Sequence, residues 1–282
     1  MVNFNSKVEQ CFLRDSKIQD ITTKVPYIIT DSVPKLGVMT ALRFLEWVSE
    51  NEEGVISLSS DKMFKNFIHY THHFLNTWDD KETKKVLEKY GLSDIKKPNL
   101  SGLQFVQMDE FYPISPKQHN SFFHYVNENY INGFGLDPER ALFINCDDIK
   151  LYNNKSFNEI FPDFKIDLSL RYRQAENERE RIQQQSLFMI DDWCSRYEEK
   201  IKAKGDIGFL VSTLGSDGRI AFNISGTSQH SNTELRQTNF ATQADAASSL
   251  GGIEVAKNRL VITIGLETIT RNPNAVAIVM AA

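Results

Sequence analysis

The chain has 282 residues, 41% of them hydrophobic and 24% charged, with a formal net charge of −5. That is enough apolar material for one large α/β domain or two small ones in a soluble protein. With this acidic balance a nucleic-acid footprint is not expected, and any anionic ligand must be held by a local cluster of donors rather than by the global field.

The three cysteines, Cys11, Cys146 and Cys194, are scattered and odd in number. They give neither a disulfide framework nor a CxxC knuckle, and a reducing, cytoplasmic setting is the expectation. The N-terminal segment lacks the apolar centre of a signal peptide, and no run approaches membrane-spanning length, so no membrane partner is expected.

Residues 1–36 are polar and mixed, with one apolar patch at Val25-Pro26-Tyr27-Ile28-Ile29. They predict an arm over 1–35 with a short strand, packed on the domain or on a partner. Val38, Leu42, Leu45 and Val48 recur at helical spacing, so an amphipathic helix runs from Leu36 to Val48 and Asn51-Glu52-Glu53-Gly54 stops it. Gly54 to Leu58 is a short buried strand, and Ser59-Ser60-Asp61 caps a helix from Lys62 to about Trp78. Strand, small polar turn and helix form an architecture whose amides bind phosphate, with Ser59, Ser60 and Lys62 as donors. The same residues also make an ordinary helix cap, and Asp61 puts a negative charge where a phosphate would lie.

His69, His72 and His73 share a helical face at a metal-pair spacing. No acidic or cysteine partner lies nearby in sequence, and no metal is expected. Residues 79–101 are lysine-rich, a solvated helix and loop. Leu103 to Met108 is the next strand; Asp109 and Glu110 end it, and Pro113 and Pro116 prevent its continuation. Gln118 to Tyr130 is an aromatic-rich helix, and Leu142 to Asn145 a short strand. From Ser169 to about Lys204 the pattern gives a helix pair or one bent helix, with its Arg/Glu run paired at i,i+4.

The organising stretch is GFLVSTLGSDGRIAFNISG, Gly208 to Gly226. Phe209-Leu210-Val211 reads as a buried strand that breaks at Leu214-Gly215-Ser216-Asp217-Gly218. Such a turn presents amides and a carboxylate at the strand's carboxyl end, where ligands sit in open α/β sheets. Leu103 to Ser115 has the same shape, and two strands that both end in acids predict one shared site. An Ala-rich stretch, Gln243 to Leu250, closes at Gly251-Gly252; Leu260 to Gly265 and Ala275 to Ala282 are the last strands. The alternation argues for an α/β fold, a mainly parallel, Rossmann-like sheet with helices on both faces, as one domain over 36–282.

MDEFYPISPKQHNSFFHYV and LGSDGRIAFNISG resemble the hallmark segments of the glucosamine-6-phosphate isomerase/deaminase family, especially its longer bacterial branch. The likeness continues through HSNTELRQTNFATQA and LGGIEVAKNRLVITIGLETI, and covers most of the chain from about Lys35. The resemblance implies a cytoplasmic enzyme of amino-sugar metabolism that turns glucosamine-6-phosphate into fructose-6-phosphate and ammonia. A sugar phosphate is then the partner, a homo-oligomer the expected assembly, and no cofactor or metal is needed. It implies Asp109 as the base that moves a proton between C1 and C2, and Asp217 as the group that orients position 219. Glu110, Gly215, Gly218 and Asn223 shape the substrate site, and Ser59, Ser60 and Lys62 face the phosphate.

Several positions depart from the family pattern. The phosphate turn, Pro-Thr-Gly-x-Thr-Pro in the family, is here Ser59 to Phe64, without the glycine and with Met63 for the later hydroxyl. The ring-opening histidine is Arg219, which stays protonated; it binds an anion or sugar oxygen, and contact with Asp217 is expected. Ile224 replaces a glutamate of shorter members, and Glu234 a basic residue of the longer branch. His119 and His230 are substitute proton shuttles, or loop histidines bonded to backbone. In the family a Gly-Lys turn and another helix follow the last strand, so the chain is expected to continue past Ala282 or to lack part of the site. Two alternatives stand beside the deaminase: an impaired relative that binds sugar phosphate or a partner, and a 6-phosphogluconolactonase. Phe111 and Ile220-Ala221-Phe222-Asn223 side with the deaminases.

Overall fold

A computed structural model describes residues 5–16 and 25–281. Helix α1 (Lys7–Asp15) starts where the Ser6 hydroxyl accepts from the Glu9 amide, and α2 (Val33–Glu50) where Ser32 does the same for Lys35. Strand β1 (Val55–Leu58) leads through a 3-10 turn, Lys62–Phe64, into α3 (Lys65–Asn76) and then α4 (Lys81–Lys89). Strands β2 (Gln104–Val106) and β3 (Asp109–Tyr112) precede α5 (Phe122–Val126), which runs on as a π turn over Asn127–Asn132. Next come β4 (Ala141–Leu142), α6 (Phe157–Ile160) and the 26-residue α7 (Glu178–Ala203). Strand β5 (Phe209–Thr213), β6 (Glu234–Gln237), α8 (Phe240–Leu250) and α9 (Ile253–Ala256) follow. Strand β7 (Leu260–Thr263), α10 (Leu266–Thr270) and β8 (Val276–Met280) complete the described chain.

The larger sheet has the order β4-β2-β1-β5-β8, and every pairing in it is parallel. Its side chains alternate between two buried faces, as a sheet covered on both sides requires. Ile56, Leu58, Phe105, Phe209 and Val211 pack toward α1–α4, whereas Val55, Val106 and Leu210 pack toward α7. The chain leaves β1 toward β2 and later returns to β1's other side as β5, so β1 and β5 flank the reversal of strand order. That reversal opens the crevice where doubly wound sheets bind ligands.

A second, antiparallel sheet, β3-β7-β6, was not foreseen. The expected strand Leu103 to Met108 does not stop at Asp109; the chain crosses from one sheet to the other at Gln107 and Met108. The Gln107 side chain bridges the gap, its amide donating to the Asp109 carbonyl (2.9 Å) and its oxygen accepting from the Ile144 amide (3.0 Å). This also explains why the ladder expected over Leu142 to Asn145 is confined to Ala141–Leu142.

The N-terminal expectation needs correction as well. Val25–Ile29 forms no strand, and residues 1–4 and 17–24 of the expected arm lie outside the described residues. What packs on the domain is α1, with Val8 and Phe12 in the main core, Ser6 Oγ donating to Glu46 (2.5 Å) and Arg43 Nε to Glu9 (3.0 Å). Between Ser169 and Lys204 there is a single helix rather than a pair. It starts only at Glu178, where Asn177 caps it, after a separate 3-10 turn at Leu168–Arg171. The aromatic helix likewise begins at Phe122, capped by Ser121, rather than at Gln118.

Candidate functional site

The turns after β1 and β5 lie side by side, joined by a hydrogen bond from the Ser59 amide to the Val211 carbonyl (3.0 Å). Asp109, the first residue of β3, stands at the seam between the two sheets and is 4% exposed. Its carboxylate has no hydrogen-bond partner among the described residues, while its backbone carbonyl is held by Gln107. Burial above all, and Asp61 after it, raise its pKa to about 7 against the opposing pull of Arg219. A carboxylate with that proton affinity, unbonded and facing the ligand crevice, is equipped to take and return a proton near neutrality.

Glu110 points to the other side of the strand and is occupied. One oxygen accepts from the Phe111 and Phe122 amides (both 3.0 Å), the other from Phe123 (2.7 Å). It closes the N-terminus of α5, so the side chain expected to shape the substrate site is engaged in holding the fold. Burial still outweighs these donors and lifts its pKa to about 8.

The turn after β5 is built around its arginine. Gly215 and Gly218 close it, with Gly215 N–H donating to the Arg219 carbonyl (2.9 Å) and Gly218 N–H to the Gly215 carbonyl (2.9 Å). Gly218 holds φ at +80°, the left-handed conformation that glycine tolerates best. At Gly215 the reason for glycine is space: a Cβ would lie 2.6 Å from both Cγ and Nη1 of Arg219. The guanidinium folded over that glycine donates to Asp217 (2.7 Å) and to Asp245 (2.9 Å). Asn239, the cap of α8, holds the other oxygen of Asp217 at 2.5 Å. Asn223 is 4% exposed and gives its amide to the carbonyls of Ile220 (3.2 Å) and Ile264 (2.9 Å); its Oδ1 has no partner.

The turn after β1 is a helix cap. Asp61 Oδ1 accepts from Met63 N–H (2.8 Å), and two tyrosines take the turn's carbonyls: Tyr130 bonds Ser59 (2.7 Å) and Tyr125 bonds Asp61 (3.2 Å). Ser60 is half-buried and Lys62 exposed at its rim. The structure therefore brings Asp109, Asp217, Arg219, Asn223 and the Ser59–Lys62 turn to one crevice. His119 and His230 are both exposed, and His230 bonds Gln229 (3.2 Å) and faces Glu267 at 3.4 Å. Among the described residues no group of three or more His, Cys, Asp or Glu side chains is arranged to hold a metal ion, and His72 packs edge-on against Phe134. No helix among them is long and apolar enough to cross a membrane.

No family model matches the chain. Pairwise, it is 32% identical over 91 residues to the glucosamine-6-phosphate isomerase of Candida albicans, and 37% identical over 76 residues to the glucosamine-6-phosphate deaminase of Caenorhabditis elegans. Over 80 residues it is 35% identical to the deaminase of Yersinia enterocolitica. These stretches are 32%, 27% and 28% of this chain and span 37%, 28% and 30% of the three relatives. Over these stretches, about a third of its length or less, the chain resembles glucosamine-6-phosphate isomerases and deaminases.

Solved structures agree at the level of fold. A monomeric glucosamine-6-phosphate deaminase superposes with a TM-score of 0.60 at 18% identity, covering 85% of this chain and 76% of that one. The 6-phosphogluconolactonase from Plasmodium vivax reaches 0.53 at 13%, covering 96% and 80%. Four residues that organise the site were missed in the sequence. Gln107 and Tyr197 fix the strand crossing, since the Tyr197 hydroxyl donates to the Gln107 carbonyl (2.7 Å). Asp245 and Asn239 complete the array around Arg219 and Asp217. Of these, Asn239 alone was findable, as a cap residue directly before an Ala-rich helix.

Proposed function

We propose that the chain acts on an amino-sugar phosphate, with Asp109 as the base of an aldose–ketose isomerisation that releases ammonia. The observation that carries this reading is the Asp109 carboxylate: buried, unbonded, poised near pH 7 and placed at the crevice where strand order reverses. Asp109 removes the C2 proton of the open-chain aldose, and its carboxyl, exchanging with solvent, delivers a proton to C1. C2 becomes an imine, water adds to it, and ammonia leaves with fructose-6-phosphate as the second product.

Arg219 has a different part from a histidine. Its charge is permanent, so it does not open the pyranose ring by proton exchange; it holds Asp217 and stabilises negative charge as it develops. Ring opening then falls to water or to substrate already open in solution. The half-buried Ser60 supplies sugar contacts, and Asn223, whose unpartnered Oδ1 is buried, shapes the wall behind them.

The test is proton NMR of glucosamine-6-phosphate in deuterated buffer with the protein. Deuterium entering C1 or C2, lost in Asp109→Asn and accompanied by ammonia, is the expected result. Absence of exchange at every pH from 6 to 9 would leave the impaired relative, whose motivating observation is the arginine locked between two carboxylates.

A further inference from the structure

A cavity of about 620 Å³ lies at the opposite end of β3 from Asp109, between Tyr112–Ser115, the 146–158 segment and Arg259. Neither Asp109 nor Arg219 lines it. From Asp109 to Tyr112 the strand covers ~10 Å, so the two concavities are neighbours on one rigid element. A volume of this size is in the range that holds a small organic ligand.

Its charge is lopsided. Lys150, Lys155 and Arg259 line it against a single carboxylate, Asp147. None of the three cations has an ion-pair partner among the described residues, although Glu159 and Glu178 act on Lys155 from longer range. Arg259 is half-buried, and its guanidinium donates to the Pro113 carbonyl, a neutral acceptor. Burial without a counter-ion pulls its pKa down from the ordinary arginine value. An unneutralised guanidinium is costly to keep out of water, and an entering anion removes that cost.

The rest of the lining is aromatic and conformationally unusual. Phe157 meets Tyr112 edge-on at 5.9 Å and Phe164 at 5.9 Å, and Phe164 is 43% exposed. Phe164 and Asn154 both hold left-handed backbone, φ +53° and +54°, which for a bulky residue like Phe is rare and persists when surrounding structure enforces it. Rings presented beside cations match a ligand with both a planar ring and an anionic group.

We propose that this cavity binds a phosphate monoester carrying a planar ring, its phosphate among Arg259, Lys150 and Lys155 and its ring against Phe157 and Phe164. The proposal is independent of the chemistry assigned to Asp109. Arg259 directly precedes β7, whose Thr263 pairs with Asp109 across the ladder, so an occupant here bears on the strand pair that carries the base.

The experiment is isothermal titration of the whole chain with adenosine 5′-monophosphate, with adenosine and inorganic phosphate as part-probes. Saturable binding is expected, weakened about tenfold or more by Lys150→Gln/Lys155→Gln, two exposed positions whose loss leaves the fold intact, and unchanged by Asp109→Asn. Arg259→Gln is expected to weaken it further. No binding, binding indifferent to the lysine pair, or binding abolished by Asp109→Asn would overturn the proposal. Inorganic phosphate binding as tightly as the nucleotide would overturn the role of the rings.

Discussion

Arg219 Nη1 donates to Asp217 Oδ1 across 2.7 Å, and the pair is half-buried at the mouth of the crevice that Asp109 faces. With Asp245 on its other nitrogen and Asn239 on Asp217, the arginine is a fixed charge rather than a mobile one. Its effect on Asp109 is electrostatic and opposes that of Asp61.

Two substitutions should therefore move the Asp109 titration in opposite directions. Arg219→Gln removes the charge that favours the carboxylate, so the pKa rises; Asp61→Asn removes a repelling charge and keeps a good helix cap, so it falls. Each change is expected to be up to about one pH unit. Carboxyl-carbon NMR titration reads it directly, and equal movement in both variants would refute the arrangement.

Asp109→Asn should stabilise the protein at alkaline pH. The folded pKa is raised to about 7 from an ordinary 3.8, so ionisation works against folding as pH climbs between those values. The penalty is absent below pH 4 and complete above pH 7. Urea midpoints of the variant and the parent should coincide near pH 4 and separate by pH 8. The gap at pH 8 is expected to be a few kcal/mol, at about 1.4 kcal/mol per decade.

Glu110 should behave as a structural residue. Glu110→Ala leaves one buried and two partly buried amides, those of Phe111, Phe122 and Phe123, without their acceptor, at a cost of roughly 3 kcal/mol. Glu110→Gln keeps one oxygen and should cost less. Denaturant unfolding distinguishes them, and a loss of activity without loss of stability in the alanine variant would restore a substrate-binding role.

Acid should loosen the underside of the fold through Glu198. Burial alone would raise the pKa of this α7 residue. The Thr233 hydroxyl (2.7 Å), Arg271 (2.8 Å) and Thr268 (2.8 Å) hold it below the ordinary 4.5 instead. A depressed carboxyl contributes stability above its unfolded pKa and loses it as pH falls through the folded one. Glu198→Ala should cost about 3 kcal/mol at pH 7 and flatten the stability profile below pH 4.5. An unchanged acid limb in that variant would place the acid sensitivity elsewhere.

The parallel sheet was legible because buried strands such as Val55–Leu58 and Phe209–Thr213 are short apolar runs closed by Ser, Asp or Gly. Asp109 and Asp217 stood out for the same reason: each follows such a run. The division of Gln104–Tyr112 into two sheets was not legible. Apolar side chains continue through Met108, and the crossing depends on a tyrosine ninety positions away that hydrogen-bonds Gln107. Helix α1 escaped notice because its apolar face is only Val8, Cys11 and Phe12 in an otherwise charged stretch. The cavity beside Arg259 was invisible too, since the 146–158 segment has no periodicity and its shape comes from left-handed turns.

A carboxylate aimed only by its main chain has a further property. Because Gln107 grips the Asp109 carbonyl and no described residue grips its carboxylate oxygens, the first strong hydrogen bond they receive will come from whatever enters the crevice. A hydroxyl that donates to them draws the proton affinity down, and a ligand that merely displaces water drives it up. The acidity of this residue is thus written by its visitor, and two ligands of equal affinity will leave the same side chain in different protonation states.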